Sequence, residues 1–234
     1  MIHGLAVSES GMITKQKQFE VIANNLANAT TTGFKRDLAF AELSLAKTNG
    51  EDDTPLLDLV TDFSQGSIRE TGRKLDFALN GRGFFSIQTQ QGIMYTRNGN
   101  FGIDSDGYLV TSDGGIVMGQ NGPITVSGNM FVNQAGEIFD NDVLVNKFQI
   151  VDFKNYNALR KHENSYFHAQ DAVPIQATKE CLVLQKSLES ANVNAIREMV
   201  SMLELYRQFE ADQKAIKTQD DTLNKAVNDV GQVN

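Results

Sequence analysis

Three features of this sequence combine residue types that could do chemistry. The first is GRG at residues 81–83, which opens like a phosphate-cradling loop. A dinucleotide loop needs a third glycine and a following helix whose N-terminus receives the pyrophosphate. Ser86 stands at the third position and no helical pattern follows, so the glycines are read as a bulge or close backbone approach ahead of Phe84 and Phe85. The second is DSDG at residues 104–107, which begins like a calcium loop. The position for the closing bidentate glutamate holds Gly115 and the loop glycine is missing, so a hairpin turn is expected. The third is the small set of histidines and the lone cysteine. His3, His162 and His168 have no metal-ligand spacing among themselves. Cys181 sits in the apolar run ECLVLQ, which reads as buried packing and leaves neither an intramolecular disulfide nor a cysteine-type zinc site. No serine lies in a nucleophile elbow. Nothing assembles a nucleophile, a base and an orienting group, so neither an enzyme nor a cofactor nor a metal centre is expected.

Composition narrows the remaining classes. The 234 residues are enough for one large domain or two smaller ones. A hydrophobic content of 41% with 21% charged residues places the chain among folded globular proteins. A net charge of −8 argues against a nucleic-acid partner, which would need a clustered basic surface. No stretch approaches the roughly 20 apolar residues of a membrane span, so no membrane insertion is expected. Ser8, Glu9, Ser10, Lys15 and Lys17 interrupt any apolar run near the N-terminus, so no cleaved signal peptide is expected either.

The elements that would position any site fall into zones. Residues 1–36 begin with Leu5, Met12, Phe19, Ile22 and Leu26 on one alternating three-and-four spacing, with Ser8 and Lys15 between them, which predicts a helix with a heptad seam. Residues 37–64, including NGEDDT, are a connector of mixed helix and loop character. Residues 65–178 hold most of the 19 glycines, and short β-branched and aromatic runs alternate with Asn-Gly, Asp-Gly and Gly-Gly pairs. Such pairs supply the positive φ of tight hairpins, so this is a central antiparallel β domain. Residues 179–234 end in a seam of Ala195, Met199, Met202, Tyr206, Phe209, Gln213, Ile216, Asp220, Leu223, Val227 and Val230. A continuous helix from about residue 193 to 230 would be roughly 57 Å long and has too little core of its own. Its seam is expected to pair with that of residues 1–36 or with neighbouring copies. The fold class is therefore α+β, with N- and C-terminal coiled-coil helices flanking a central antiparallel all-β domain.

One stretch resists this pattern. VIANNLANATTTGF, residues 21–34, crowds amides and hydroxyls into the end of the first seam. Asn24, Asn25 and Asn28 could pair across helices and fix their register, while residues 30–33 supply the turn that stops the helix. Solvated amides at a surface cap are the simpler alternative.

The same residues carry a family resemblance. ANNLANATTTGFKR resembles the N-terminal signature of the bacterial flagellar rod and hook family, with Ala23, Asn24, Asn25, Leu26, Ala27, Asn28, Thr31, Gly33, Phe34 and Lys35 matching. LDFALNGRGFFSIQTQQGIMYTRNGNFGIDSDGYLVTSDG is similar to the start of the family's β domain. SANVNAIREMVSMLELYRQFEADQKAIKTQDDTLNKA is similar to its C-terminal helix, through Asn192, Val193, Asn194, Glu198 and Met199. The resemblance implies a structural subunit of the basal-body rod, the drive shaft between motor and hook. It implies export by the flagellar type III apparatus without a cleaved signal. It also implies terminal segments that become paired helices only on polymerisation, with copies of the same chain and other rod proteins as partners. The short spacing between Arg36 and Gln65, with YTRNGN and NGPITV, resembles the proximal rod subunit of the F type; a distal rod or hook-type subunit is the alternative. The expected assembly interface comprises Leu5, Met12, Phe19, Ile22, Asn24, Asn25, Leu26, Asn28, Gly33, Phe34, Asn192, Met199, Leu203, Tyr206, Phe209, Ile216 and Leu223. A rival from another class is a dimeric ligand-binding module with a pocket near Phe84, Phe85 and Tyr95.

Overall fold

A computed structural model describes residues 2–42, 56–127, 130–162, 165–169, 173–177 and 181–231. NGEDDT and most of the expected connector lie outside the described residues. Internal contacts divide the chain into one unit of Met1–Ala27, Asp37–Val60 and Asn194–Asn234, and another of Asn28–Arg36 and Thr61–Val193.

The first unit contains two long helices, α1 (Ile2–Ala27) and α2 (Ala195–Gly231). The ion pair of Lys15 with Asp212 ties them together. Asn194 caps α2, its Oδ1 accepting from the Arg197 backbone N–H at 3.1 Å, one of the donors a helix start leaves unpaired. Glu198 lies in the first turn, where the helix dipole favours a carboxylate. Where a connector of mixed helix and loop character was expected, Asp37–Glu42 and Leu56–Thr61 form a two-stranded sheet. DLAFAE and LLDLVT are short apolar-rich runs, of a length that suits a strand rather than a helix.

The second unit is antiparallel throughout its described strand pairs and is organised on the strand Phe84–Thr89. That strand pairs with Gly92–Thr96, Ile116–Gly119 and Ile150–Phe153. Successive side chains on a strand point to opposite faces. Phe85 and Ile87 accordingly join one core, with Phe77, Phe101, Leu109, Val117 and Phe148, while Phe84 joins another with Tyr95, Phe153, Leu159 and Phe167. Burial on both faces is why FFSI reads as an unbroken run rather than an alternation.

The turns follow the expected chemistry. Asp104 Oδ1 accepts from the Asp106 and Tyr108 backbone N–H groups at 3.0 and 2.7 Å, and Gly107 takes φ +83° between the strands Phe101–Ile103 and Leu109–Thr111. DSDG is thus a hairpin turn. Gly83 has φ +146°, and a Cβ there would come within 2.8 Å of Ile150 Cγ2, a close approach of backbone to packed side chain.

The β unit reaches further in both directions than residues 65–178. Leu182–Gln185 pairs with Phe77–Asn80, and Ser187–Glu189 pairs with Ile68–Glu70. Residues 181–193 therefore belong to the β unit, and only the chain from Asn194 onward belongs with the C-terminal helix. The N-terminal motif divides in the same way, since its second half, Asn28–Arg36, is part of the β unit.

Candidate assembly surfaces and the buried joint

Within the β unit, the residues just after α1 and those just before α2 hold one another. The Gly33 backbone N–H donates to the Glu189 carbonyl at 2.8 Å. Gly33 has φ +69°, and a Cβ would meet the backbone N of Asn98 at 2.4 Å, so both conformation and space require glycine. Asn192 uses every arm of its amide. Its Oδ1 accepts from the Arg36 N–H at 2.7 Å, and its Nδ2 donates to the carbonyls of Asp62 and Ser64 at 2.8 and 3.2 Å. Phe34 is buried, and Lys161 Nζ sits 3.6 Å from the centre of its ring while donating to the Lys35 carbonyl.

At the centre of this joint lies a charge cluster. Lys35 Nζ donates to Glu189 Oε1 at 2.6 Å, and Arg97 Nη1 donates to Glu189 Oε2 at 3.2 Å. The Gly66 N–H adds a third bond to that carboxylate, at 2.9 Å. All three charged side chains are buried. Removal from water pushes the Lys35 ammonium below its usual range, and the Glu189 charge opposes that shift. Lys35 also donates to the Ser64 carbonyl and Arg97 to the Gly81 carbonyl, both at 2.7 Å, so the desolvated charges have bonds in several directions.

Asn25 spends its amide on the chain that follows α1 rather than on a second helix. Asn25 is buried, and its amide closes two bonds on the backbone of Asp37, accepting from its N–H at 2.9 Å and donating to its carbonyl at 2.8 Å. A side-chain amide carries the same donor and acceptor as a peptide, so Asn25 stands in for a neighbouring strand. Asn28 Oδ1 accepts from the Thr31 hydroxyl at 3.1 Å, in the turn that ends α1. Asn24 is exposed.

The helices place the remaining expected residues on two different faces. On α1, Met12, Ile22 and Leu26 are half-buried, whereas Phe19 is exposed. On α2, Glu198 and Leu205 are buried, and Met202, Phe209, Asp212 and Ile216 half-buried. Asp212 holds Lys15 of α1, so this line, stepping 4, 3, 4, 3, 4, is the one turned toward α1. Met199, Leu203 and Tyr206 lie elsewhere: with Ile196 and Val200 they form a second apolar stripe, Leu203 being 61% and Tyr206 54% exposed. At 100° per residue the two stripes are centred more than about 90° apart around the helix. The expected seam through Met199, Met202, Tyr206 and Phe209 therefore merged residues of both. Leu5 and Leu223 lie on the helical backbones, with side chains outside the described set.

Glu189, Arg97 and Lys161 went unremarked as joint residues, although YTRNGN contains Arg97 and GFKR contains Lys35, the two cations that meet Glu189. Phe84, Phe85 and Tyr95 are buried in the two cores and are not the exposed aromatics on which the ligand-module alternative rested. A cleft of about 440 Å³ in the same unit is lined instead by Gln88, Asp113, His162 and Tyr166, among others.

Comparison with known proteins places this arrangement. Residues 5–35 match the family described as flagella basal body rod protein, residues 78–142 the D1 domain of the flagellar hook protein FlgE/F/G, and residues 184–229 the C-terminal part of flagellar basal body rod FlgEFG proteins. The flagellar basal-body rod protein FlgG of Buchnera aphidicola subsp. Schizaphis graminum is 33% identical over 256 residues, covering 96% of this chain and 98% of the relative. The flagellar basal-body rod protein FlgF of Caulobacter vibrioides is 30% identical over 246 residues, covering both chains completely. The flagellar hook-basal body complex protein FlhO of Bacillus subtilis is 26% identical across both full lengths. The chain belongs to the flagellar basal-body rod and hook family, of F/G type. It is a structural rod protein, not an enzyme.

Proposed function

We propose that this chain is the proximal, F-type subunit of the basal-body rod and that it polymerises with its own copies and with other rod proteins into a torque-transmitting tube. The observation that carries the assembly part is the second apolar stripe of α2. A helix already packed along Glu198, Met202, Leu205 and Phe209 still presents Ile196, Met199, Val200, Leu203 and Tyr206 to its surroundings. Burying such a stripe against neighbouring helices gives the coiled-coil contacts of a polymer, and a head-to-tail contact that does not close generates a filament. The terminal segments gain their full stability only in that setting, after passage through the flagellar type III apparatus without loss of a signal peptide. Leu5, Met12, Phe19 and Leu223 extend the same helical contacts, while Gly33, Phe34 and Asn192 fix the joint from which they project. The short spacing between the N-terminal motif and the β domain favours the F type over the distal alternative.

Leu203→Asp with Tyr206→Asp is the direct test. Basal bodies purified from cells carrying the double variant should lack the subunit, while the purified variant keeps the β-sheet circular dichroism of the parent. Normal incorporation would overturn the role of the stripe. Immunogold electron microscopy of intact basal bodies should place the label at the motor-proximal end of the rod; label at the hook end would overturn the subtype.

A further inference from the structure

The cleft of about 440 Å³ on the β unit lies outside the joint, since none of Lys35, Arg97 and Glu189 lines it. Its volume falls within the roughly 300–1,000 Å³ of small-ligand pockets. Three parts of the sheet build it. The strands Phe84–Thr89 and Gly92–Thr96 bring Gln88 and Met94, and the turn between them brings Gln90 and Gln91. Ile116 comes from the neighbouring strand, where it is the Cα partner of Gln88. The turn before it, residues 111–115, is pinned in place. The Gly114 N–H donates to the Thr111 carbonyl at 3.0 Å, and the Gly115 N–H donates to Thr111 Oγ1 at 2.9 Å. A Cβ on Gly115 would come within 2.6 Å of Ile87 Cγ2, so the turn sits hard against the core and holds Asp113 at the cleft.

The polar groups at the cleft are mainly acceptors. Tyr166 is buried, and its hydroxyl lies 2.7 Å from Asp113 Oδ1 and 2.8 Å from Thr111 Oγ1. A carboxylate is the stronger acceptor of the two, so the single phenol proton goes to Asp113 and the phenol oxygen is left to accept. Among the described residues Asp113 forms no ion pair, and Tyr166 is its one hydrogen-bond partner. Gln88 spends an N–H on the Thr89 carbonyl at 3.1 Å, and its oxygen is unbonded among the described residues. Gln90 and Gln91 can turn either end of their amides inward. No described Lys or Arg lines the cleft, and buried Met94 with half-buried Ile116 gives it an apolar wall. A second cleft, of about 210 Å³, shares Asp113 and Tyr166 but has hydroxyl and amide residues where the first has that wall.

An occupant that fits must bring donors, a positive charge and an apolar stem. An anion would meet the Asp113 carboxylate with no lysine or arginine to balance it. A sugar would find no open aromatic face, because Tyr166 is buried and is the one aromatic residue among those described at the cleft. We propose that the larger cleft receives the arginine side chain of a partner protein. A guanidinium carries five N–H donors in a planar fork and no acceptor. Its fork meets the Asp113 carboxylate and its remaining donors meet the Gln88 and Tyr166 oxygens, while Met94 and Ile116 flank the methylene stem. Lysine shares the stem but concentrates its charge at one point and lacks the fork. A net charge of −8 draws such a basic partner in before contact is made. The site uses residues of the β unit alone and is independent of the α2 stripe.

Isotope-labelled full-length chain, carrying Leu203→Asp and Tyr206→Asp so that the helix stripe does not contribute, is titrated with N-acetyl-arginine amide and followed by NMR. The backbone amide signals of Gln91, Gly114 and Gly115 should shift and saturate, with a Kd of about 1–10 mM. Asp113 is exposed, so Asp113→Asn should keep the circular dichroism spectrum while weakening binding by about tenfold or more. Gln88→Lys places a tethered ammonium in the cleft from an exposed position and should block binding with Asp113 untouched. N-acetyl-lysine amide should bind several-fold more weakly, and N-acetyl-glutamate amide and maltotriose should leave the three signals in place. Equal shifts with the lysine, glutamate or sugar probe would overturn the proposal. So would parent-like binding by either variant, or shifts no larger here than beside the exposed Asp106. None of these outcomes bears on the rod assignment.

Discussion

The β unit and α2 treat apolar side chains in opposite ways. The strand Phe84–Thr89 buries Phe84 in one core and Phe85 in another, so a single polypeptide satisfies both its faces. α2 buries one line through Leu205 and leaves another, through Leu203, largely open. The same residue types therefore serve folding in the first case and, on our reading, association in the second. Hydrophobicity alone does not separate the two roles, whereas the geometry around each side chain does.

Mutations can break or sharpen this contrast. The largest effect is expected at the joint. Glu189→Ala leaves Lys35 and Arg97 buried without their carboxylate and should cost about 3–5 kcal/mol, read from the denaturant midpoint. A loss under ~1 kcal/mol would mean that water reaches the cluster. Phe85→Ala should cost a comparable ~3–5 kcal/mol through the cavity it leaves. In the same measurement Leu203→Ala should fall within about 0.5 kcal/mol of the parent, because its side chain is already exposed. Equal losses for Phe85→Ala and Leu203→Ala would erase the distinction between core and association surface.

Asn25→Ala comes next. It removes the amide bonded to both backbone groups of Asp37 and should cost about 1–3 kcal/mol. The loss should appear as faster amide exchange in the strand Asp37–Glu42, with the strands around Phe85 unaffected. The smallest effect concerns the tyrosines. Burial raises the pKa values of Tyr95, Tyr156 and Tyr166, for Tyr166 with a further push from the Asp113 carboxylate that accepts its hydroxyl. A tyrosine whose folded pKa lies above its unfolded value of about 10 adds stability that is complete below that pH and lost as pH rises through the folded value. Ultraviolet titration should therefore show a late ionisation step, and Tyr166→Phe should remove its most alkaline part.

Much of the architecture was legible in the sequence. The Asp-Gly and Asn-Gly pairs locate hairpins because few residues other than glycine accept the required φ, and the seam spacing locates both helices. The faces of α2 were less legible. A search for apolar residues at heptad spacing selects Met199 and Tyr206, whereas the line packed toward α1 contains Glu198 and Asp212. Acidic side chains at those places make sense only once Lys15 is seen against Asp212. Asn25 was misread for a related reason. An amide imitates a peptide wherever one lies within reach, and the partner, Asp37, could be found only from the turn that brings it there. The boundary at residue 179 slipped because LVLQ and SLE find strand partners at Phe77–Asn80 and Ile68–Glu70, far back along the chain.

The bond between Lys35 and Glu189 spans 154 positions of sequence. A chain that emerges head first, from a ribosome or through a narrow export channel, presents its lysine long before the acid that neutralises it. Arg97 comes out in the interval and is equally unmatched. The charge cluster can form only once Glu189 is present, so until then two cations have no carboxylate against which to be buried. A product that stops before residue 189 lacks this carboxylate altogether, whereas one that reaches Asn192 holds every group of the joint.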